Sequence, residues 1–345
     1  MKEFDPNDIA NVNNNIFGLP YNTEDAKIVI IPVPWDVTVS YGNGTSLAPD
    51  NIFKASAQVD LYDDFFPDFW KKGIAMEEVP LQWLERNNEL RRIAEDYIDF
   101  LANGGDVEKS VEMRNILFKI NEASEFLHKW VERQAAGYLN KDKIVAVLGG
   151  EHSCPLGLIK ALANKYDNFG ILHIDAHSDL RNAYEGFTYS HASVMYNVLQ
   201  IPEVSKLVQI GIRDYCEDEL NTINNSNGRV KTYFDRALKE SAYEGKLWKT
   251  LTENIIDDLP DNIYISFDVD GLDPKYCPNT GTPVPGGMEF EEIMYLLKKI
   301  VLEGKKIIGF DICETGYSES TEWDANVAAR ILYRLSVFTA KSNKL

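Results

Sequence analysis

Cysteine is scarce in this chain, and what there is has no pattern. Cys154, Cys216, Cys277 and Cys313 are scattered, with no CxxC pair among them. That spacing speaks against a disulfide framework and for reduced thiols in a cytoplasm. Cys154 and Cys313 lie close to motifs described below, but neither has the partner arrangement a nucleophile needs. All four are expected to fill the core or to pack behind a site. Basic residues are also short: 35 against 54 acidic ones leave a formal net charge of −19. Such a surface repels nucleic acid and anionic membrane while favouring solubility and cationic ligands. Most of that charge reads as plain solvation. No apolar run approaches the roughly 20 residues that span a bilayer. The N-terminus, Met1-Lys2-Glu3-Phe4-Asp5-Pro6, is polar and unlike a secretory signal. Neither an internal repeat nor a low-complexity tract interrupts the chain.

What is present is a chain of 345 residues, 44% of them hydrophobic and 26% charged. That is enough to bury a large core without staples, as one large α/β domain spanning residues 1–345. Short, nearly continuous apolar runs at Lys27–Pro32, Ile144–Leu148, Gly170–Ile174, Leu207–Ile212, Ile263–Phe267 and Lys306–Asp311 predict strands buried on both faces of a parallel sheet. Helical spacing at Cys154–Tyr166 and Glu289–Gly304 alternates with them, the rhythm of a doubly wound α/β layer. From about Pro80 to Leu139 that rhythm stops. Ile116, Leu117, Ile120, Ala123, Leu127, Trp130 and Val131 fall at helical intervals, predicting one long amphipathic helix before the strand at Ile144. Leu90–Val107 reads as a helix and a loop punctuated by Gly104-Gly105. The loop Asn221–Gly228 is expected to be exposed.

Four segments carry chemistry, each at or just past the carboxyl end of a predicted strand, where ligands bind in open α/β sheets. They are Gly149-Gly150-Glu151-His152-Ser153, His173-Ile174-Asp175-Ala176-His177-Ser178-Asp179, Ser266-Phe267-Asp268-Val269-Asp270-Gly271-Leu272-Asp273-Pro274 and Asp311-Ile312-Cys313-Glu314-Thr315-Gly316. Alternate residues of an extended chain share a face, so Asp175, His177 and Asp179 can converge, as can Asp268 and Asp270. With His152 they bring two histidines and four aspartates into one region. Carboxylates that close repel one another, and buried charge needs compensation. Two divalent cations supply it, and imidazole with carboxylate but no thiolate suits Mn²⁺, with Ni²⁺, Co²⁺ or Zn²⁺ as alternatives.

The remaining histidines divide by position. His128, on the long predicted helix, is expected at the surface. His173 lies deeper in its strand and is expected to be packed and hydrogen-bonded behind the ligands. His191, in Tyr189-Ser190-His191-Ala192-Ser193, can lie over the site and move protons.

Together these segments resemble the ureohydrolase family, which includes arginase, agmatinase, guanidinobutyrase and formimidoylglutamase. The family's metal signatures are matched here by GGEHS, DAHSD and SFDVDGLDP, and Thr280-Gly281-Thr282-Pro283-Val284-Pro285-Gly286-Gly287 follows as expected. The likeness runs from about Ile28 to the C-terminus, and the stretch at about 80–139 looks like a helical elaboration longer than in simple members. The resemblance implies a three-layer α/β/α sandwich with a mostly parallel central sheet, two Mn²⁺ per chain and a homo-oligomer, trimer or hexamer. By position it implies His152 and Asp179 on one ion, His177 and Asp270 on the other, and Asp175 and Asp268 bridging both. It further implies His191 as proton shuttle and Glu314 as the carboxylate that faces a guanidinium. A water between two cations loses proton affinity and can attack the guanidinium carbon. Asp179 then passes a proton to the departing amine, and urea leaves.

The substrate is read from the loop Asp179-Leu180-Arg181-Asn182-Ala183-Tyr184-Glu185-Gly186, which resembles the agmatinase branch. It lacks the clear Asn, Ser and Thr pattern with which arginase-like members bind an α-carboxylate and amine. Agmatine, giving putrescine and urea, is therefore expected, although Ser266–Pro274 reads closer to arginase. Arg181 could pair with Glu185 or a neighbouring acid, or greet a carboxylate on 4-guanidinobutyrate or N-formimidoylglutamate. Arginine and free guanidine are further alternatives. Among other classes, an amide deacetylase needs a single zinc and fewer ligands, and a dinuclear phosphatase carries different signatures. A catalytically inactive binding protein of the same fold would not need all six ligands together with His191 and Glu314.

Overall fold

A computed structural model describes residues 4–345; Met1, Lys2 and Glu3 of the polar N-terminus lie outside the described residues. Eight strands form one sheet: β1 Ile28–Val33, β2 Ile74–Met76, β3 Ile144–Gly149, β4 Phe169–Ile174, β5 Val204–Ile210, β6 Val230–Tyr233, β7 Asn262–Asp268 and β8 Lys306–Cys313. Among the described residues ten α-helices accompany them: α1 Ala48–Ser56, α2 Leu81–Ala102, α3 Val111–Leu139, α4 Leu156–Ala163, α5 Val194–Val198, α6 Glu217–Asn224, α7 Asp235–Tyr243, α8 Trp248–Asp257, α9 Phe290–Leu302 and α10 Trp323–Ser342. Every strand pair is parallel, in the order β2-β1-β3-β8-β7-β4-β5-β6.

Alternation along the strands makes the three layers. Ile28, Ile30, Ala146, Leu148, Leu172, Ile174, Ile263, Ile265 and Phe267 face one core, with α1, α8, α9 and α10. Ile31, Val33, Val145, Val147, Phe169, Ile171 and Tyr264 face the other, with α2, α3, α4 and α5. Both faces of each central strand are dry, which is why those strands read as unbroken apolar runs. The predicted strands and the three-layer sandwich are therefore observed, with ends shifted by a few residues. No helix among the described residues is long and apolar enough to cross a membrane.

Three expectations need correction. Two edge strands, β2 and β6, escaped the sequence reading: β2 is three residues long, and only Val230 of β6 is buried. Asn221–Asn224 is the last turn of α6, not loop. The acidic first turn of Glu217, Asp218 and Glu219 starts this helix. The Glu219 carboxylate accepts the Cys216 amide at 2.9 Å, a favourable placement at a helix N-terminus. His128 is buried rather than exposed. It sits one position round from the Ile120, Ala123, Leu127, Val131 stripe of α3, and Tyr189 covers it with its ring 5.0 Å away. Burial first, and Lys160 second, push its imidazole down to about 3.

Candidate active site and metal centre

β3, β8, β7 and β4 are neighbours at the middle of the sheet, and each of the four chemical segments leaves the carboxyl end of one of them. Past β3 the chain must pass under Trp35: a Cβ on Gly150 would meet the Trp35 carbonyl oxygen at 2.1 Å. Glycine there lets the chain turn His152 inward, and the Gly150 carbonyl accepts the Glu314 amide at 2.8 Å. Past β4, Asp175, His177 and Asp179 lie beyond the last strand residue, so their convergence comes from the loop rather than from pleating. Asp179 and Glu314 adopt left-handed backbone, with φ of 54° and 61°. Such conformations are uncommon for residues other than glycine and concentrate at functional sites.

The side chains meet closely. His152 Nδ1 stands 2.9 Å from Asp175 Oδ2, 3.1 Å from Asp179 Oδ2 and 3.3 Å from Asp268 Oδ2. His177 Nδ1 stands 3.1 Å from Asp270 Oδ2 and 3.5 Å from Asp175 Oδ1. Asp175 thus belongs to both groups. Backbone amides fix the carboxylates: His177 N–H donates to Asp175 Oδ1 at 2.6 Å, Ala176 N–H to Asp270 Oδ1 at 3.0 Å and Asp270 N–H to Asp268 Oδ1 at 2.9 Å. His173 is packed and hydrogen-bonded, as expected. Its Nδ1 accepts from the Gln209 amide at 3.0 Å, so its Nε2–H donates to Asp175 Oδ2 at 2.7 Å. Gln209 is itself oriented by Thr232 and by the Ser178 carbonyl.

This donor set fits divalent cations. One imidazole N–H serves one acceptor, yet three carboxylates crowd a single nitrogen of His152. Among the described residues no lysine or arginine forms an ion pair with Asp175, Asp179, Asp268 or Asp270; the only ion-pair partners they have are histidines. The strain shows in the ionisation. Burial, then Asp270 and Asp175, push the Asp268 carboxyl well above its ordinary range. Burial and Asp175 take Asp179 up to about 6. Burial alone would lower His152, but Asp175, Asp179 and Asp268 hold it well above the usual imidazole value. Asp175 is resisted by burial but drawn well below its usual value by His173, His152 and His177. Left to one another, these groups gather protons as counter-charge; cations do the same work without them. Among the described residues three sets have ligand atoms within 4.8 Å of one another: His152 with His173, Asp175 and Asp179; Asp175 with His177 and Asp270; and His152 with Asp311 and Cys313.

Around this cluster lie the other expected residues. Glu314 Oε1 accepts the His152 amide at 2.8 Å. Its Oε2 lies beside Gly281, 3.5 Å from where a Cβ on that residue would stand. Burial, then Glu151, raise its carboxyl well above the ordinary range. His191 is half-buried over the site. Its N–H donates to Thr38 Oγ1 at 3.0 Å, and burial first and His177 second take its imidazole to about 3, so the ring is neutral near pH 7. Arg181 does not reach into the cluster. Its guanidinium stacks 4.8 Å above the Tyr184 ring, and Nε lies 3.9 Å from Glu219, the neighbouring acid in place of Glu185.

Several supports were invisible in the sequence. Glu151, quoted only as part of GGEHS, accepts the Thr38 amide at 2.7 Å, the Thr38 hydroxyl at 2.9 Å and the Ser153 hydroxyl at 2.6 Å. Ser266 accepts from His152 Nε2 at 2.8 Å, leaving Nδ1 to the carboxylates. Thr38 carried no signal at all. Two surface clefts, of about 680 and 840 Å³, lie near Pro20 and Asn11, and neither is lined by a histidine.

Residues 26–337 match the model of the Arginase family. The chain is similar to an N(1)-aminopropylagmatine ureohydrolase of Thermus thermophilus, 30% identical over 315 residues, covering 91% of this chain and 90% of that protein. It is also similar to an agmatinase of Bacillus cereus, 26% identical with 84% of each chain covered. Among solved structures, the agmatine ureohydrolase of Thermoplasma volcanium superimposes with a TM-score of 0.70 at 26% identity, covering 94% of this chain and 93% of that one.

Proposed function

The chain belongs to the arginase family of guanidino hydrolases, and from that premise we propose that it splits agmatine into urea and putrescine at a two-metal centre. The observation that carries this reading is the crowding of three carboxylates on one imidazole nitrogen of His152, at 2.9 to 3.3 Å. In this reading His152, Asp175, His177, Asp179, Asp268 and Asp270 would together hold the two cations. A ligand set of imidazole and carboxylate favours Mn²⁺. Bound there, the cations supply the positive charge that makes a water acidic enough to attack near neutral pH.

The chain's own residues do the rest. Glu314 receives the guanidinium through Oε2, a charge-assisted pairing that also favours its ionised form. That pairing turns the guanidinium carbon toward the strand-tip carboxylates. Asp179 carries a proton to the departing amine, and His191 exchanges protons with solvent across the rim. Residues 1–345 act here as one domain, with the helical elaboration at about 80–139 outside the chemistry.

Agmatine is favoured because Arg181 is already stacked on Tyr184 beside Glu219. No other candidate for a substrate carboxylate came from the sequence. An acidic chain of net charge −19 further favours a dication. A second reading, N(1)-aminopropylagmatine, is supported by the name of the Thermus thermophilus relative. It offers the same guanidinium on a longer cationic tail. The test is urea release in Mn²⁺ from agmatine, N(1)-aminopropylagmatine, arginine, 4-guanidinobutyrate and guanidine, with formamide followed for formimidoylglutamate. The highest kcat/KM is expected for agmatine or its aminopropyl form. Arg181→Ala should change that value less than about threefold, since a partly exposed stack and a 3.9 Å ion pair are worth little. Fastest turnover of an acidic guanidino compound, abolished by Arg181→Ala, would reverse the assignment.

A further inference from the structure

None of the side chains of α2 and α3 enters the cluster, yet their polar groups converge on the two loops that overlie it. On α2, Asn87 is buried and holds Asp36 twice, accepting its N–H at 2.7 Å and donating to Oδ1 at 2.8 Å. Arg91 donates to the carbonyls of Val37, at 3.2 Å, and Val39, at 2.5 Å. Between those two lies Thr38, whose hydroxyl accepts the His191 N–H. The second loop is held from α2 and α3 together. Tyr97 donates to the Glu185 carbonyl at 2.8 Å. Asn121 donates to the Gly186 carbonyl at 3.1 Å and accepts the Thr188 N–H at 2.8 Å.

Two turns inside that loop, Gly186 N–H on the Ala183 carbonyl at 2.8 Å and Phe187 N–H on the Tyr184 carbonyl at 2.9 Å, are made from unfavourable backbone. Ala183, Glu185 and Gly186 have φ of 50°, 56° and 85°. Left-handed backbone at alanine and glutamate persists only where the surroundings impose it. From α2 and α3 the imposing groups are Tyr97 and Asn121, with Asn197 of α5 on the Thr188 carbonyl at 2.9 Å, and His191 follows three residues after Thr188.

We propose that α2 and α3 form a brace that positions His191 over the metal site, with Asn121 as its principal positioning residue. This rests on the reading of His191 as the group that carries protons. The side-chain amide of Asn121 fits the task because it donates and accepts at once, as a neighbouring strand would. Alanine can do neither. Asn121 is only partly buried on a helix, where alanine is a better helix former, so the variant keeps its fold.

The test compares Asn121→Ala, His191→Ala and the double variant of the full chain in Mn²⁺, on whichever guanidino compound releases urea fastest. Asn121→Ala should lower kcat about 10- to 100-fold, the scale of a misplaced catalytic group, with KM within twofold and metal content unchanged. In the His191→Ala background the same substitution should cost nothing further, because its effect passes through that histidine. Hydrogen exchange should quicken at the Thr188 amide and its neighbours in residues 183–191 and nowhere else. Unchanged kcat, unchanged exchange in that loop, or full multiplication of the two losses would each overturn the brace. Full activity in His191→Ala would overturn the shuttle reading itself, and the brace with it, and that result stands apart because it appears in the variant that leaves Asn121 intact.

Discussion

The floor and the rim of this site are built in opposite ways. The floor is four adjacent strand tips whose carboxylates are held by backbone amides of those same tips: two residues away for Asp175 and Asp268, and on the adjoining tip for Asp270, which takes the Ala176 N–H. Its geometry is local and follows from the sheet. The rim is two loops whose shape is imposed from outside by Asn87, Arg91, Tyr97 and Asn121 on α2 and α3. Local construction holds the chemistry that cannot tolerate displacement. Remote construction holds the parts that must admit a substrate and release urea.

Damage should therefore grade from floor to rim. His177→Ala removes an imidazole that no neighbour can replace. Its activity should fall by more than the roughly 100-fold that losing a supporting contact costs, with part of the bound metal lost. Undiminished turnover with full metal content would break the distinction at its strongest point. Glu314→Gln lies on the floor's substrate side. It keeps an acceptor for the His152 amide but loses the charge. A drop in kcat/KM of about 10- to 100-fold, mostly in KM, matches a charge-assisted bond worth about 1.5–3 kcal/mol; unchanged KM would remove Glu314 from guanidinium binding.

Behind the rim, His128 sharpens the comparison by affecting stability alone. Its imidazole sits at about 3 when folded, against 6.5 for the free group. Between those values the unfolded chain binds a proton that the folded chain refuses. Stability is full above pH 6.5, falls as pH drops and levels off below about 3. At pH 5 the loss from this one group is about 2 kcal/mol. Unfolding measured at pH 7 and pH 5 should show that loss in the wild type and not in His128→Leu, whose urea release at neutral pH stays within about twofold. Equal pH dependence in the two proteins would contradict it.

What the sequence made legible divides along the same line. The strands of the floor announced themselves as apolar runs ending in GGEHS, DAHSD and SFDVDGLDP, because local pattern and local structure coincide there. His173 is packed and hydrogen-bonded, as its depth in the strand led one to expect. The rim was not legible. Thr38 sits in an unremarkable loop, and its use depends on Glu151, 113 residues away. His128 was misread because helix periodicity places a residue on a face without saying how much of the helix is covered. The β2 and β6 edges were too short or too polar to register, and α6 ends in asparagines that favour turns in isolation.

The most direct measurement is the number of divalent cations each chain holds. Purified protein is equilibrated with Mn²⁺, freed of loose metal by desalting and analysed by mass spectrometry, beside Asp268→Asn. Two ions per chain in the wild type and fewer in the variant is the result expected of carboxylates gathered this tightly. A ceiling of one ion at every concentration, or equal content in both proteins, would contradict it.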